Sequence, residues 1–196
     1  MSDVAPTRQY PADVLKGARV ELRRHEVSEA FAGACFAQID ADRKHLGEFL
    51  TWVDRTKTVA DSLKYLTDMA AKWNAFEVFD YGMFTRGPTG SLQWLGNIGA
   101  HHIDWDNGSA ELGYWIGSAF VGSGYVTEAV GILERELFRL GFWRVRIRCV
   151  PENARSAAVA KRSGYRYEGT HRGDRIEFGK RGSTMVFAKL ANDKSP

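Results

Sequence analysis

The sequence predicts a mixed α/β (α+β) domain: a largely antiparallel seven-stranded sheet with helices on both faces. Three observations predict it. Apolar residues recur at three- and four-residue steps in the longer segments and alternate in the shorter ones. The segments run in the order β-α-α-β-β-β-α-β-α-β-β. Residues 109–150 form a strand, a glycine loop, a helix and a strand, so these two strands should lie parallel or splayed, joined by a right-handed crossover.

Residues 1–17 read as a flexible arm punctuated by Pro6, Pro11 and Gly17, which leaves one domain over 18–190 and a tail over 191–196. Residues 18–24 alternate, with Val20 and Leu22 on one face, and read as a strand. Residues 27–39 have helical spacing. Residues 58–73 form a second helix, striped by Leu63, Leu66, Met69, Ala70 and Trp73, with Thr58 or Asp61 available as a cap. The stretches 75–85, 91–103 and 109–117 are strand-like. They are separated by 86–90 and 104–108, whose Gly, Pro, Asn and Asp suit tight turns, so a three-stranded meander is expected. Residues 126–142 are the clearest helix: Val126, Ala129, Val130, Leu133, Leu137 and Leu140 form one stripe. Ser123 or Thr127 stands near its start and Gly141 near its end. Residues 143–150 set Arg144, Arg146 and Arg148 on one face and Val145, Ile147 and Cys149 on the other. A short helix over 156–165 ends at Gly164, and two strands joined by the turn 179–182 close the chain.

With 196 residues, 44% apolar and 26% charged, the chain suits one globular domain. No apolar run approaches the roughly 20 residues of a membrane span, and residues 1–17 lack a secretory signal pattern. The expectation is a cytoplasmic protein without a membrane partner. Cys35 and Cys149 lie far apart, lack metal-ligand spacing and read as buried thiols, and no metal site is expected. The net charge of +3 does not argue for nucleic acid. The arginine face at 144–148 also lacks the interleaved aromatics of a base-stacking platform.

The stretch 118–130 is the first candidate for chemistry. A strand that ends in a glycine turn and opens a helix offers unpaired N–H groups and the positive end of the helix dipole to an anion. Gly122 and Gly124 permit a positive φ and close backbone approach. No Gly-Lys-Ser/Thr follows, and Thr127 stands where a dinucleotide fingerprint has its third glycine. On these residues alone, a phosphate loop and an ordinary turn both remain open.

The ordered set "AELGYWIG" (110–117), "GSGYVTEAV" (122–130), "PENARS" (151–156) and "GYRYEG" (164–169) resembles the GNAT superfamily of N-acetyltransferases, in particular the RimL- and RimJ-type ribosomal-protein N-terminal acetyltransferases. The resemblance covers about residues 18–190 and implies that acetyl-CoA is the cosubstrate. It places the pyrophosphate loop on Val121, Gly122, Ser123, Gly124, Tyr125 and Val126, followed by Thr127 at the helix start. Gly124 matches the family's R/Q-x-x-G-x-G/A loop. Val121, Ser123 and Val126 depart from it, and 118–128 holds no Lys or Arg, which implies weaker cosubstrate binding. Backbone around Trp115, Ile116 and Gly117 would meet the pantetheine arm. Asn153 would contact the same arm, and Ser156 would act as general acid toward the departing thiolate.

The base is less direct. The position of the RimL-type glutamate is Arg175 here, so Glu111 is the expected base, acting directly or through water. His101 and His102 are further candidates, and as neighbours at most one faces the cleft. The loop 42–56 would shape the acceptor site with Trp52 and Phe49 as an apolar wall, beside Glu48 and Asp54. His101 is also expected at the acceptor. The implied acceptor is a peptide N-terminus or a small amine, and a homodimer is implied. The competing reading is a non-catalytic acyl-CoA-binding regulatory module that keeps the fold.

Overall fold

The computed structural model of the protein describes residues 5–86 and 90–193. Residues 1–4 of the expected arm, 87–89 of the turn at 86–90 and 194–196 of the tail lie outside the described residues. In chain order the elements are β1 (Val14–Lys16), β2 (Val20–Arg24), α1 (Glu29–Ala41), α2 (Arg43–Leu46), a 3-10 helix (Thr51–Arg55), α3 (Val59–Asn74), β3 (Phe79–Arg86), β4 (Leu92–Asp104), β5 (Ser109–Ile116), a 3-10 turn (Ser118–Phe120), α4 (Tyr125–Arg139), β6 (Arg144–Cys149), α5 (Ala154–Arg162), β7 (Arg166–Glu177) and β8 (Lys180–Leu190).

The sheet has eight strands in the order β1-β2-β3-β4-β5-β6-β8-β7. Every pairing is antiparallel except β5 with β6, which is parallel as the crossover predicts. The eighth strand, unforeseen in the sequence, is β1, which pairs Val14 with Arg23 and Lys16 with Glu21 inside the segment read as an arm. Three residues are too few to show alternation, and the pairing is dictated by the free edge of β2. Upstream of it, Pro11 is buried and the Tyr81 hydroxyl donates to the Ala12 carbonyl at 2.9 Å.

Cross-strand partners share a face, so the registers sort the sheet. One face carries Phe79, Tyr81, Ile98, Ala100, Leu112, Tyr114 and Ile147. Helix α4 buries Ala129, Val130, Leu133 and Leu137 in the same core, and each fully buried leucine contributes about 1.5–3 kcal/mol. The other face carries Asp80, Asn97, Gly99, His101, Glu111, Gly113 and Trp115. Helices α1 and α3 lie over part of that second face, and Asp80 and Asn97 are buried beneath them.

The helix ends show where local signals held. Thr58 caps α3 reciprocally with Asp61, so both expected residues take part. Helix α4 starts one residue earlier than expected, at Tyr125, and its cap is Gly124 at φ +78°, with no side-chain cap from Ser123 or Thr127. At its far end Phe142 N–H bonds to the Leu137 carbonyl and Gly141 N–H to the Phe138 carbonyl, as the glycine predicts. Helix α5 begins at Ala154, capped by Asn153, two residues before the expected start.

Candidate functional site

Strands β5 and β6 pair only from Ser109–Arg144 to Leu112–Ile147. Beyond Leu112, β5 continues to Ile116 without a partner on that side, and the sheet opens. A cavity of about 730 Å³ fills the opening, lined by the end of β5, the loop 120–127, the start of α5 and residues 45–50. Of the residues expected at the cosubstrate, Trp115, Ile116, Val121, Gly122, Gly124, Tyr125, Val126, Thr127, Asn153 and Ser156 all line it. Gly117 and Ser123 do not. Gly117 donates its N–H to the Leu95 carbonyl, and the Ser123 carbonyl accepts from Arg19.

The loop has the geometry an anion needs. Gly122 and Gly124 take φ +86° and +78°, conformations that cost a side chain-bearing residue about 1–2 kcal/mol. The Glu128 N–H bonds to the Gly124 carbonyl, and the N–H groups of the turn before it have no partner within the helix. Thr127 Oγ1 is buried among the cavity residues without a hydrogen-bond partner. Val126, which departs from the family loop, packs partly against the core while also lining the cavity. These features fit the diphosphate of coenzyme A.

The positive charge missing from 118–128 arrives from elsewhere. Arg19 donates to the Ser123 carbonyl at 2.9 Å and lies over the Tyr125 ring at 5.2 Å. Arg155, Arg162 and His45 line the cavity itself. Glu128 locks Arg19 in place, accepting from the Arg19 and Val20 N–H groups and from the Arg19 guanidinium. Burial alone would raise the Glu128 carboxyl, but those hydrogen bonds outweigh it and hold the group below the usual carboxylate range.

At the inner end, Asn153 Oδ1 accepts from Ser156 N–H at 3.0 Å, so Asn153 and not Ser156 caps α5. That leaves the Ser156 hydroxyl free of capping. It pairs with the Tyr114 hydroxyl at 3.0 Å, a partner the sequence did not reveal. Burial pushes the Tyr114 phenol well above its ordinary value, against the lowering effect of Ser156, so the pair stays protonated at neutral pH. Cys149, a buried thiol whose pKa burial also raises, lies beside Ser156.

A second cavity of about 390 Å³ lies between α1, α3 and the second face of the sheet. It shares Leu50, Tyr114 and Trp115 with the first. Trp52, Trp94 and Trp115 form its aromatic wall, the Trp52 and Trp94 rings 5.6 and 5.3 Å from that of Trp115. Asp80, Asn97 and His101 are polar residues of its floor. The loop 42–56, expected to border one acceptor site, divides: Trp52 lines the second cavity, Phe49 and Glu48 the first, and Asp54 neither.

Glu111 lines neither cavity. The parallel register sets it opposite Arg146, and its carboxylate is bridged by Arg146 at 3.0 Å and Arg148 at 2.7 Å. A carboxylate held by two guanidinium groups is engaged as their counter-ion, so the residue expected as base is ion-paired and set apart from both cavities. Arg175 is ion-paired with Glu177 and also lies outside both cavities. His102 turns outward at φ +47° where the β4–β5 register shifts, which leaves His101 as the histidine facing inward. Asp104 belongs to the turn, accepting from Asn107. Among the described residues no His/Cys/Asp/Glu cluster could hold a metal, and no helix is long and apolar enough to cross a membrane.

Comparison with known proteins gives a consistent result. Residues 19–166 match a family model described as the acetyltransferase (GNAT) domain. Over 84 residues the chain is 40% identical to YdaF of Bacillus subtilis (strain 168), named for a proposed ribosomal N-acetyltransferase activity. That match spans 42% of this chain and 45% of the relative, less than half of its length. Among solved structures, the fold superposes on Mycobacterium smegmatis RimJ in complex with a CoA-disulfide at a TM-score of 0.83 and 22% identity, over 95% of this chain and 93% of that one. It superposes on RimL, the ribosomal L7/L12 α-N-protein acetyltransferase in complex with coenzyme A, at 0.82 and 21%, over 90% and 97%. The microcin C7 self-immunity acetyltransferase MccE, in complex with acetyl-CoA and AMP, gives 0.82 and 22%, over 89% and 93%.

Proposed function

The chain belongs to the acetyltransferase (GNAT) family, and from that premise we propose that it moves the acetyl group of acetyl-CoA onto a primary amine. The acceptor is the α-amine of a protein N-terminus, of the ribosomal-protein type, or a small amine. The observation that carries this reading is the meeting of two cavities at Tyr114 and Trp115. One has the anion-facing loop and a hydroxyl pair, the other an aromatic wall and a polar floor.

In this reading the loop amides of 122–127 hold the diphosphate and the free side of β5 from Gly113 to Ile116 aligns the pantetheine arm. The arm brings the thioester to the junction of the cavities, and the amine reaches it through the second one. An amine attacks only when neutral, and an α-amine with a pKa near 8 needs less help than a lysine near 10.4. The Ser156–Tyr114 pair donates a proton to the departing thiolate. Glu111 is spent on Arg146 and Arg148, so the proton lost by the amine goes to a group on the floor of the second cavity. The relation to YdaF supports a ribosomal-type acceptor. A homodimer belongs to the same reading, supported by the exposed Tyr167, Ile176 and Phe178 on the β7–β8 hairpin, and sedimentation measures it.

The test is free-thiol release from acetyl-CoA with a panel of seryl, alanyl and threonyl peptides and small amines. Turnover supports the reading. Absence of both binding and turnover defeats it, and tight acetyl-CoA binding without turnover on any amine favours the regulatory module.

A further inference from the structure

Besides Tyr114, whose phenol belongs to the hydroxyl pair, the ionisable side chains lining the second cavity are Cys35, Tyr65, Lys72, Asp80 and His101. Three of them are unsuited to accept a proton at neutral pH. Burial, helped by Asp80, pushes the Cys35 thiol up to about 12. Burial and then Asp80 carry the Tyr65 phenol well above its ordinary value. Lys72 is an ammonium with no lone pair to offer. That leaves Asp80 and His101.

These two side chains meet over a glycine of the sheet. Asp80 and Gly99 are cross-strand partners, and Gly99 in turn faces Gly113. A Cβ placed at Gly99 would lie 2.6 Å from Asp80 Oδ1 and 2.8 Å from His101 Nε2. At Gly113 it would lie 3.3 Å from His101 Cδ2. With no side chain at Gly99, the carboxylate oxygen and the imidazole nitrogen both close over that residue, and the bare strip of sheet between them is the Gly99 slot. The Asp80 side chain is only 3% exposed, and its Oδ2 is already engaged by the Tyr65 hydroxyl at 2.6 Å and His25 Nε2 at 2.7 Å. Asn97 Nδ2 supports Tyr65 from behind, and Trp94 Nε1 supports Asn97. The network fixes the carboxylate and leaves Oδ1 at the slot.

We infer that His101 is the catalytic base that takes the proton from the acceptor amine, and that Asp80 is the positioning residue that holds the amine and the imidazole in register across the Gly99 slot. This rests on the acetyltransferase reading above. The amine nitrogen forms its bond to the thioester carbonyl carbon and passes a proton to His101 Nε2. The carbon–sulfur bond breaks, and the thiolate takes a proton from the Ser156–Tyr114 pair. Water carries the proton of His101 back to that pair, so the products are the amide and free thiol with no net proton change. The groups acting on His101 agree with this task. Burial lowers its pKa, Asp80 and Glu111 oppose burial, and His102 and Lys72 add to it. The net direction is downward, and the imidazole is neutral at pH 7.

The experiment uses the full chain, acetyl-CoA and the best acceptor of the peptide and amine panel. It reads kcat/KM against pH, expressed per neutral acceptor amine so that the acceptor's own ionisation is removed, and, separately, acetyl-CoA affinity. His101→Gln is expected to lower kcat about 100-fold or more with unchanged acetyl-CoA affinity. Asp80→Asn removes a charge that raises the His101 pKa, so the acidic limb of the profile shifts to lower pH, a change that a purely structural role of Asp80 does not produce. In the unaltered protein, the NMR titration of His101 should coincide with that limb, below its ordinary value of about 6.5. An active His101→Gln variant at the wild-type kcat, or a limb that does not follow the His101 titration, overturns the assignment while leaving the activity standing. A wild-type protein inert toward every acceptor overturns the activity and the assignment together.

Discussion

The hydroxyl pair at the junction of the cavities makes the most searching prediction. Tyr114→Phe removes one oxygen and keeps the ring that packs against the core. Ser156→Ala removes the other and keeps the N–H that Asn153 caps. Each change breaks the 3.0 Å hydroxyl–hydroxyl bond. A neutral hydrogen bond of this kind is worth about 1 kcal/mol of stability, or a fall in Tm of about 2–4 °C in a chain of this size. The catalytic effect should be larger. Proton delivery to a leaving group contributes about 10²–10⁴ in rate, roughly 3–5 kcal/mol of barrier. Because the two oxygens serve one proton transfer, the double variant should be no more than about threefold slower than the worse single variant. Acetyl-CoA affinity by calorimetry should stay within about threefold, since the diphosphate is held by backbone of the loop 122–127, which neither change touches. Thiol release gives kcat, and differential scanning gives Tm. If both single variants keep kcat within about threefold, or if their effects simply add, the pair is packing and not an acid.

Gly124→Val forces a branched side chain into φ +78°, which costs about 1–2 kcal/mol. It is expected to weaken acetyl-CoA binding about tenfold in calorimetry while the acceptor KM stays put. Glu111→Gln breaks the bridges to Arg146 and Arg148 and should cost about 1 kcal/mol, read as a Tm fall of about 2–4 °C. Its plateau kcat should remain within about threefold, and a loss of two decades would restore Glu111 as the base. Glu128→Gln tests the strut under the loop. The folded carboxyl is held below the unfolded value of about 4.3. Its stabilisation is therefore complete above that pH and fades as pH falls through the folded value. The Tm gap between this variant and the wild type should be wide at pH 7 and close in acid, and a gap that is independent of pH contradicts the hydrogen-bonding account.

Much of the fold was legible because it rests on local periodicity. The alternation of Val20 and Leu22, the stripe of α4 and the meander of β3–β5 can each be read within a dozen residues, and each element forms where its pattern lies. The cosubstrate loop was legible for a related reason. Its glycines and main-chain amides are contiguous in sequence, and the resemblance of the ordered segments 110–169 to the GNAT superfamily named in advance most of the residues that line the first cavity. Strand β1 escaped because its three residues pair only when β2 is already an edge. The engagement of Glu111 escaped because it looks free on its own strand, and only the register with β6 shows that Arg146 and Arg148 hold it.

The sequence by itself determined the element order, the parallel crossover after β5, the glycine turn before α4 and the placement of Asn153 and Ser156 at the start of α5. Those features depend on spacing of a few residues, where backbone geometry leaves little choice. The tertiary structure decided which side chains meet: Arg19 at the loop from 104 residues away, Tyr114 at Ser156, and Asp80, Tyr65, His25 and His101 around the glycine slot. The reason is that a strand's face follows from the chain's own alternation, but its neighbours follow from register, and register is set by the packing of the whole sheet.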